Sequence, residues 1–210
     1  MKLLAVNTAG TSTEVAVIDG DKVYAFRDEQ YRHASAELLP AVDRLLKESG
    51  LTLKDMDGFG VCIGPGSFTG IRIGLATVRA FCYATGKQAV AVNTGEVLAY
   101  NTKTDAESIV SLWDAGNGYA YAAAYEGGTM RELLPPKCLT IPEAEAFLKT
   151  VDEPFVVSTD TVMQAYGMIG REFGLAAAVR RRAECGAWLP YNGLLPLYVR
   201  VSQAEQNAHN

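Results

Sequence analysis

The same run of short strands and turns occurs twice in this chain, and that repetition limits its fold more than any single motif does. Residues 3–7, 14–18 and 22–27 are short apolar or alternating runs. They are separated by the turn material Thr8-Ala9-Gly10-Thr11-Ser12 and by the hairpin signal Asp19-Gly20-Asp21. Residues 108–113, 119–125 and a third run beginning at 131–134 follow the same order, with Asn117-Gly118 and Glu126-Gly127-Gly128 as their turns. Two landmarks share one offset. Asn7 and Asp114 close equivalent strands, Gly20 and Gly127 lie in equivalent turns, and each pair is 107 residues apart. An internal duplication follows, with two related α/β lobes at 1–103 and 104–210.

The rest of each lobe alternates helices with strands. Ser35 is the expected N-cap of a first helix, with Glu37 in its first turn and Gly50 beyond its end. Leu38, Leu39, Val42, Leu45 and Leu46 recur along it at helical spacing. Residues 59–63 read as a buried strand, 69–85 as a second helix that is apolar around most of its circumference, 89–92 as a strand and 96–101 as a short helix. In the second lobe, 142–150 and 161–173 are expected helices, and 155–158 and 175–180 expected strands.

Composition removes several function classes. At 49% hydrophobic and 20% charged, the 210 residues suffice for a sizeable core and are too apolar for general disorder. A net charge of −5 argues against a free-standing nucleic-acid binder. Arg180-Arg181-Arg182 is the one local exception, and it reads as a solvated strand end or loop. Cys62, Cys82, Cys138 and Cys185 are too far apart for a C-x-x-C metal or redox motif, so free thiols and a cytoplasmic location are expected. Met1-Lys2 leads directly into an apolar strand, without the pattern of a signal peptide, and no apolar run reaches the ~20 residues that span a bilayer.

The most distinctive stretch is Gly64-Pro65-Gly66-Ser67-Phe68-Thr69-Gly70-Ile71-Arg72-Ile73-Gly74, between a strand and a helix. Backbone N–H groups at such a helix start can cradle a phosphate. Yet there is no Lys-Ser or Lys-Thr for a P-loop, the glycine spacing misses the dinucleotide fingerprint, and Ser67 is not in a G-x-S-x-G elbow. Spacing alone favours a tight turn and close helix approach. Asn7-Thr8 and Asp114 sit at matching strand ends, the places from which actin-like kinases hold a metal–nucleotide. Asn7 cannot supply the charge a divalent metal favours, and it serves equally well as a turn cap. His33 and His209 are the only histidines, too few for a hydrolytic zinc site, and His33 suits a capping or interface role better than catalysis. The apolar residues of the two N-terminal helices have two readings, simple packing against the sheet and a helical interface with another subunit.

Four stretches carry a resemblance to a known family: Leu4-Ala5-Val6-Asn7-Thr8-Ala9, His33-Ala34-Ser35-Ala36-Glu37-Leu38-Leu39-Pro40, the Gly64 to Gly74 loop, and Pro196-Leu197-Tyr198-Val199-Arg200. Together they resemble the TsaB (YeaZ) family, the dimerisation subunit of the bacterial tRNA threonylcarbamoyladenosine system. The resemblance implies an actin-like ATPase (ASKHA, ribonuclease H-like) fold of two related lobes, the second one trimmed. It implies a noncatalytic subunit with no catalytic and no metal-binding residues, required for threonylcarbamoyl transfer to N6 of adenosine 37 in tRNAs reading ANN codons. Thr94 and Leu98 stand where the catalytic relative has the two histidines of H-x-x-x-H. The implied partner face comprises His33, Ser35, Leu38, Leu39, Val42, Leu46, Phe68, Ile71, Arg72, Leu75 and Val78, used in a homodimer or in a heterodimer with the metal-binding paralogue TsaD. The small ATPase TsaE joins that pair, and tRNA is met only through the complex. Asn7, Thr8 and Asp114 are the implied weak nucleotide contacts, with no cofactor tightly bound and ATP or ADP held only in the assembled complex. The chain departs from the family at Asn7, where Asp is common, in the extra residue of His33-Ala34-Ser35, and in a short segment over 182–195. The competing readings are an actin-like small-molecule kinase and a glycoprotease-type metallopeptidase. The first lacks one acidic partner for Asp114, and the second lacks metal ligands.

Overall fold

The computed structural model describes residues 1–28, 34–102, 105–152, 154–158 and 174–200. Two sheets of the same plan are built from them. In the first, β1 (Lys2–Asn7), β2 (Thr13–Asp19) and β3 (Lys22–Asp28) form an antiparallel ribbon, and β4 (Gly58–Cys62) and β5 (Ala89–Val92) add parallel to β1, giving the order β3-β2-β1-β4-β5. In the second, β6 (Ser108–Gly116), β7 (Tyr119–Glu126) and β8 (Glu132–Thr140) form the ribbon, and β9 (Phe155–Ser158) lies parallel to β6, giving β8-β7-β6-β9. The duplication is therefore structural, although one landmark moves. Asn7 pairs with Glu14 whereas Asp114 stands opposite Ala120, so the second strands are offset by 106 and Gly20 corresponds to Glu126 rather than Gly127. The ribbon of the second sheet is irregular between Asp114 and Gly116, where the register shifts.

The chain divides differently from the expected 1–103 and 104–210. One compact unit joins Met1–Thr94 to Leu175–Leu197, and the other joins Gly95–Gly174 to the segment from Tyr198 onward. The reason is the last helix. Residues 175–180, expected as a strand, belong to α5 (Gly174–Glu184), in which Leu175, Ala176, Ala178, Val179 and Ala183 are buried at helical spacing. Arg180-Arg181-Arg182 is accordingly helical rather than a strand end or loop, and Arg180 donates to the Gly20 carbonyl at 2.6 Å. The expected helix at 161–173 lies outside the described residues.

In the first unit, β4 separates two packing layers. Phe59 meets Phe81 of α2 (Phe68–Thr85) on one face, with ring centroids 5.7 Å apart. On the other face Gly58 and Gly60 have no side chain, and a Cβ there would overlap the Trp188 ring and the Val179 methyls respectively. Helix α1 (Ala34–Ser49) lies over β2 and β3 beside α2. It starts at Ala34, so Ser35 is in its first turn rather than at its cap. It ends with Gly50 in the left-handed region (φ 70°), Gly50 N–H donating to Lys47 O and Leu51 N–H to Leu46 O, the paired bonds that satisfy a helix's last carbonyls. The segment over 182–195 becomes a strap. Trp188 covers Gly58, Leu189 exchanges two backbone bonds with Ala89 at the edge of β5, a 3-10 turn at Tyr191–Gly193 reaches α2, and Arg79 donates to the Leu194 carbonyl.

The second unit has a core on each sheet face. Trp113, Tyr121 and Tyr125 pack with Leu98 and Ala99 of α3 (Thr94–Tyr100) on one face. Val110, Leu112, Ala120, Ala122 and Ala124 pack with Ala144 of α4 (Ile141–Leu148) on the other. A reciprocal cap between Thr140 and Glu143 starts α4.

Candidate partner face and glycine loop

The loop from Gly64 to Gly70 is shaped by bonds within its own unit. Ile63 N–H donates to Val92 O at 2.9 Å, and Ile63 O accepts from Leu197 N–H at 2.8 Å. Thr94 N–H donates to Gly64 O at 2.9 Å, and Thr94 Oγ1 donates to Pro65 O at 2.8 Å. Ser67 N–H donates to Ala9 O at 2.7 Å, and Ser67 Oγ caps α2 by accepting from Gly70 N–H at 3.1 Å. Just past the end of β1, Thr8 Oγ1 donates to Gly70 O at 2.6 Å. The glycines explain themselves in the same geometry. A Cβ on Gly66 would overlap Ala9 O, one on Gly70 would overlap Thr8 O, and one on Gly74 would come within 2.6 Å of Thr8 Oγ1. The absent side chains let the start of α2 press against the end of β1. Ser67 and Gly70 N–H groups, two of the donors a phosphate cradle would present, are bonded to the chain itself.

Asn7 and Thr8 are held by that same junction. Asn7 Oδ1 accepts from Ala9 N–H at 3.0 Å and its Nδ2 donates to Glu14 at 2.9 Å, the turn-capping role. Asp114, in the other unit, is exposed, and its Oδ1 accepts from Gly116 N–H at 2.7 Å. Arg200, from the C-terminal motif, donates to Ala115 O and Gly116 O at 2.8 and 3.0 Å and lies 4.4 Å from the Tyr119 ring centre. Thr94 and Leu98, the two positions that the resemblance sets against metal ligands, do not fit a metal. Thr94 is buried and bonded to the loop, and Leu98 belongs to the apolar core of the second unit. Among the described residues no group of three or more His, Cys, Asp or Glu is gathered.

The predicted partner face separates into a core and a surface. Leu38 (1% exposed), Val42 (4%), Ile71, Leu75 and Val78 are buried in the first unit, so they support the helices rather than meet a partner. Leu46 and Phe68 are half-buried. Leu39 is 55% exposed, and Arg72 is exposed with its guanidinium 3.9 Å above the Phe68 ring centre. His33 lies outside the described residues, and Ser35 contributes only its place in the first turn of α1. Sequence periodicity missed Ala76, Ala80 and Tyr83, which extend the exposed line of Arg72 along α2, Tyr83 being 77% exposed. Their four-residue and three-residue spacing was the available signal. Beneath this face the thiol of Cys82 is pushed up to about 11 by burial, which keeps it protonated at neutral pH.

The surface that α1 and α2 leave open is thus mixed: α1 exposes the charged Asp43, Arg44, Lys47 and Glu48 beside Leu39, and α2 exposes Ala76, Ala80 and Tyr83 with the stacked Arg72. Comparison with known proteins gives this arrangement a family. A TsaB biosynthesis protein of tRNA threonylcarbamoyladenosine from Bacillus subtilis (strain 168) is 27% identical over 98% of this chain and 96% of that protein. The Escherichia coli (strain K12) protein of the same name is 30% identical over 60% of this chain and 55% of its own length. A family model described as TsaD, tRNA N6-adenosine threonylcarbamoyltransferase, matches residues 28–156. The chain belongs to this family, in its TsaB (YeaZ) branch. Among solved structures, YeaZ from Pseudomonas aeruginosa superposes with a TM-score of 0.77 at 21% identity, covering 94% of this chain and 99% of that one. The TsaB branch thereby has here the two-sheet actin-like ATPase fold. Among the described residues no helix is long and apolar enough to cross a membrane.

Proposed function

We propose that this TsaB-branch chain serves tRNA threonylcarbamoyladenosine synthesis as a noncatalytic subunit, docking a metal-binding TsaD-type partner through the outer faces of α1 and α2. The observation that supports this reading best is the state of the two positions where a catalytic member would hold its metal. Thr94 is hydrogen-bonded into the loop and Leu98 is in a core, so neither can ligate. The exposed Leu39, Arg72 and Tyr83 supply the kind of surface on which partner affinity concentrates, aromatic and arginine anchors on an apolar helix. A homodimer through the same face is its form without the partner. In this reading TsaE joins the assembled pair, ATP or ADP is held only there, and the partners supply the tRNA contact for an acidic chain. The test is single-turnover formation of threonylcarbamoyladenosine on unmodified tRNA supplied with ATP and an activated threonylcarbamoyl donor. The purified chain alone yields no product, and the chain with its cognate TsaD and TsaE yields it. Robust product from the single chain overturns the noncatalytic role.

A further inference from the structure

We infer that the outer edge of β3 pairs with the same edge of a second copy of this chain, antiparallel about Ala25, so that two first sheets become one. β3 is the last strand of its sheet on that side. It pairs with β2 over all seven of its residues without a register shift. The phase of that pairing decides which groups point outward. Gly20 N–H donates to Met1 O, so Gly20, Ile18, Ala16 and Glu14 turn their backbone groups to β1. Asp19, Val17, Val15 and Thr13 then turn theirs to β3, where Lys22, Tyr24, Phe26 and Asp28 answer them. Val23, Ala25 and Arg27 are left presenting N–H and C=O to the outside, and among the described residues no strand lies there to meet them. Two other edges in this fold are guarded. Leu189 bonds the edge of β5, while β8, the outer ribbon strand of the second sheet, carries Pro135 and Pro136 and shifts register twice. β3 has no proline, no bulge and no lysine at its centre.

The strand's own sequence selects a second copy as the occupant. Lys22-Val23-Tyr24-Ala25-Phe26-Arg27-Asp28 is complementary to itself when laid antiparallel with Ala25 opposite Ala25. Lys22 of one copy then stands opposite Asp28 of the other at both ends, and Arg27 meets Val23 rather than a like charge. Tyr24 of each copy stands opposite Phe26 of the other, at the closer kind of strand pair, where aromatic rings cover each other. Both rings are half-buried in the single chain. Moving the partner by two residues, the smallest step that keeps the bonds, sets Lys22 against Phe26 or Asp28 against Tyr24 instead. The helices do not obstruct this. α1 rests chiefly on β2, with Arg44 over the Phe26 ring, and β2 and its copy would lie three strand spacings or about 14 Å apart, beyond the ~8–10 Å at which helices pack. A single strand pair covers less than the ~1,200 Å² below which contacts are weak and transient, so the pairing forms and parts readily.

The strand pairing does not rest on the helical partner face, and it is tested apart from it. In the full chain carrying Leu39→Glu, amide exchange is followed from about 10 μM to about 1 mM, the range in which so small an interface fills. Exchange at Val23, Ala25 and Arg27 is expected to slow about ten-fold at the upper end, while Tyr24 and Phe26, already bonded to β2, do not change. Ala25→Lys sets two lysines opposite each other and is expected to abolish the slowing, with the melting temperature unchanged because Ala25 is exposed. Ala25→Cys brings two thiols together, since opposed residues that exchange both bonds have Cα atoms about 5.5 Å apart, within disulfide reach. Mild oxidation of Ala25→Cys is expected to yield a disulfide-linked dimer. Asp21→Cys, in the exposed turn before the strand, is expected to yield only the background of the parent chain. Exchange that is independent of concentration overturns the proposal, as does the same slowing in Ala25→Lys, or cross-linking by Ala25→Cys no greater than by Asp21→Cys. These readouts hold whether or not Leu39→Glu breaks the helical contact, so failure of the partner-face reading is distinguishable from failure of the strand pairing.

Discussion

Gly70 has room for a hydrogen and nothing more, because a Cβ would overlap the Thr8 carbonyl oxygen, and backbone cannot swing aside as the end of a long side chain can. Gly70→Ala is expected to lower stability by about 3 kcal/mol or more, since overpacking against main chain forces a backbone shift. Gly10→Ala, where a Cβ meets no atom within 4 Å, leaves it within about 0.5 kcal/mol. Urea unfolding of the two variants checks both values, and similar midpoints would mean that the junction between β1 and α2 is loose in solution. The motif's spelling is thus dictated by the approach of β1 and α2. That much was legible, since the absence of a Lys after the glycines already favoured a close turn over a phosphate loop. The identity of the approaching groups was not, because Thr8 and Thr94 meet the loop only in the folded sheet and lie 62 and 29 residues away from their partners.

At the scale of elements, α1 shows what periodicity can and cannot tell. Leu38, Leu39, Val42, Leu45 and Leu46 read as one stripe, and a stripe says that a face is covered without saying by what. Here the chain's own fold covers Leu38, Val42 and Leu45, and Leu39 is presented outward. Substitutions at the two kinds of position therefore part company. Leu39→Glu is expected to shift sedimentation from dimer toward monomer with unfolding changed by no more than about 0.5 kcal/mol. Val42→Glu places an unpaired carboxylate in the core and is expected to cost about 4 kcal/mol or more, seen as loss of soluble folded protein. A Leu39→Glu protein that sediments as wild type would place the interface elsewhere. Helix α5 teaches a second lesson. Leu175-Ala176-Ala177-Ala178-Val179-Arg180 is short and apolar enough to read as a strand, but alanine is the strongest helix former, and Ala176, Ala178 and Ala183 let the helix lie flat on a sheet whose own residues are Gly58 and Gly60. Strand and helix were matched in composition, and the length of the run decided nothing.

At the scale of the whole molecule, the duplicated sheet plan was readable from turn spacing, and the route of the chain was not. No local pattern records that residues 175–197 return to the first unit. Once there they matter greatly. Val179 and Trp188 fill the space left by Gly60 and Gly58, Leu189 seals the edge of β5, and Leu194 is wholly buried. A chain stopped after Gly174 is expected to lose the cooperative unfolding of its first unit and to bind a hydrophobic dye. Retention of a sharp melting transition would show that the first sheet stands without its returning piece. The same route has a consequence during synthesis. The ribosome releases β1 to β5 early, yet their covering helix and strap follow only after about a hundred more residues, which at roughly 5–20 residues per second is about 5–20 s. For that interval one side of the nascent sheet and the open edge of β5 lie bare, so the first half of this chain is a natural client for chaperones that hold emerging polypeptides.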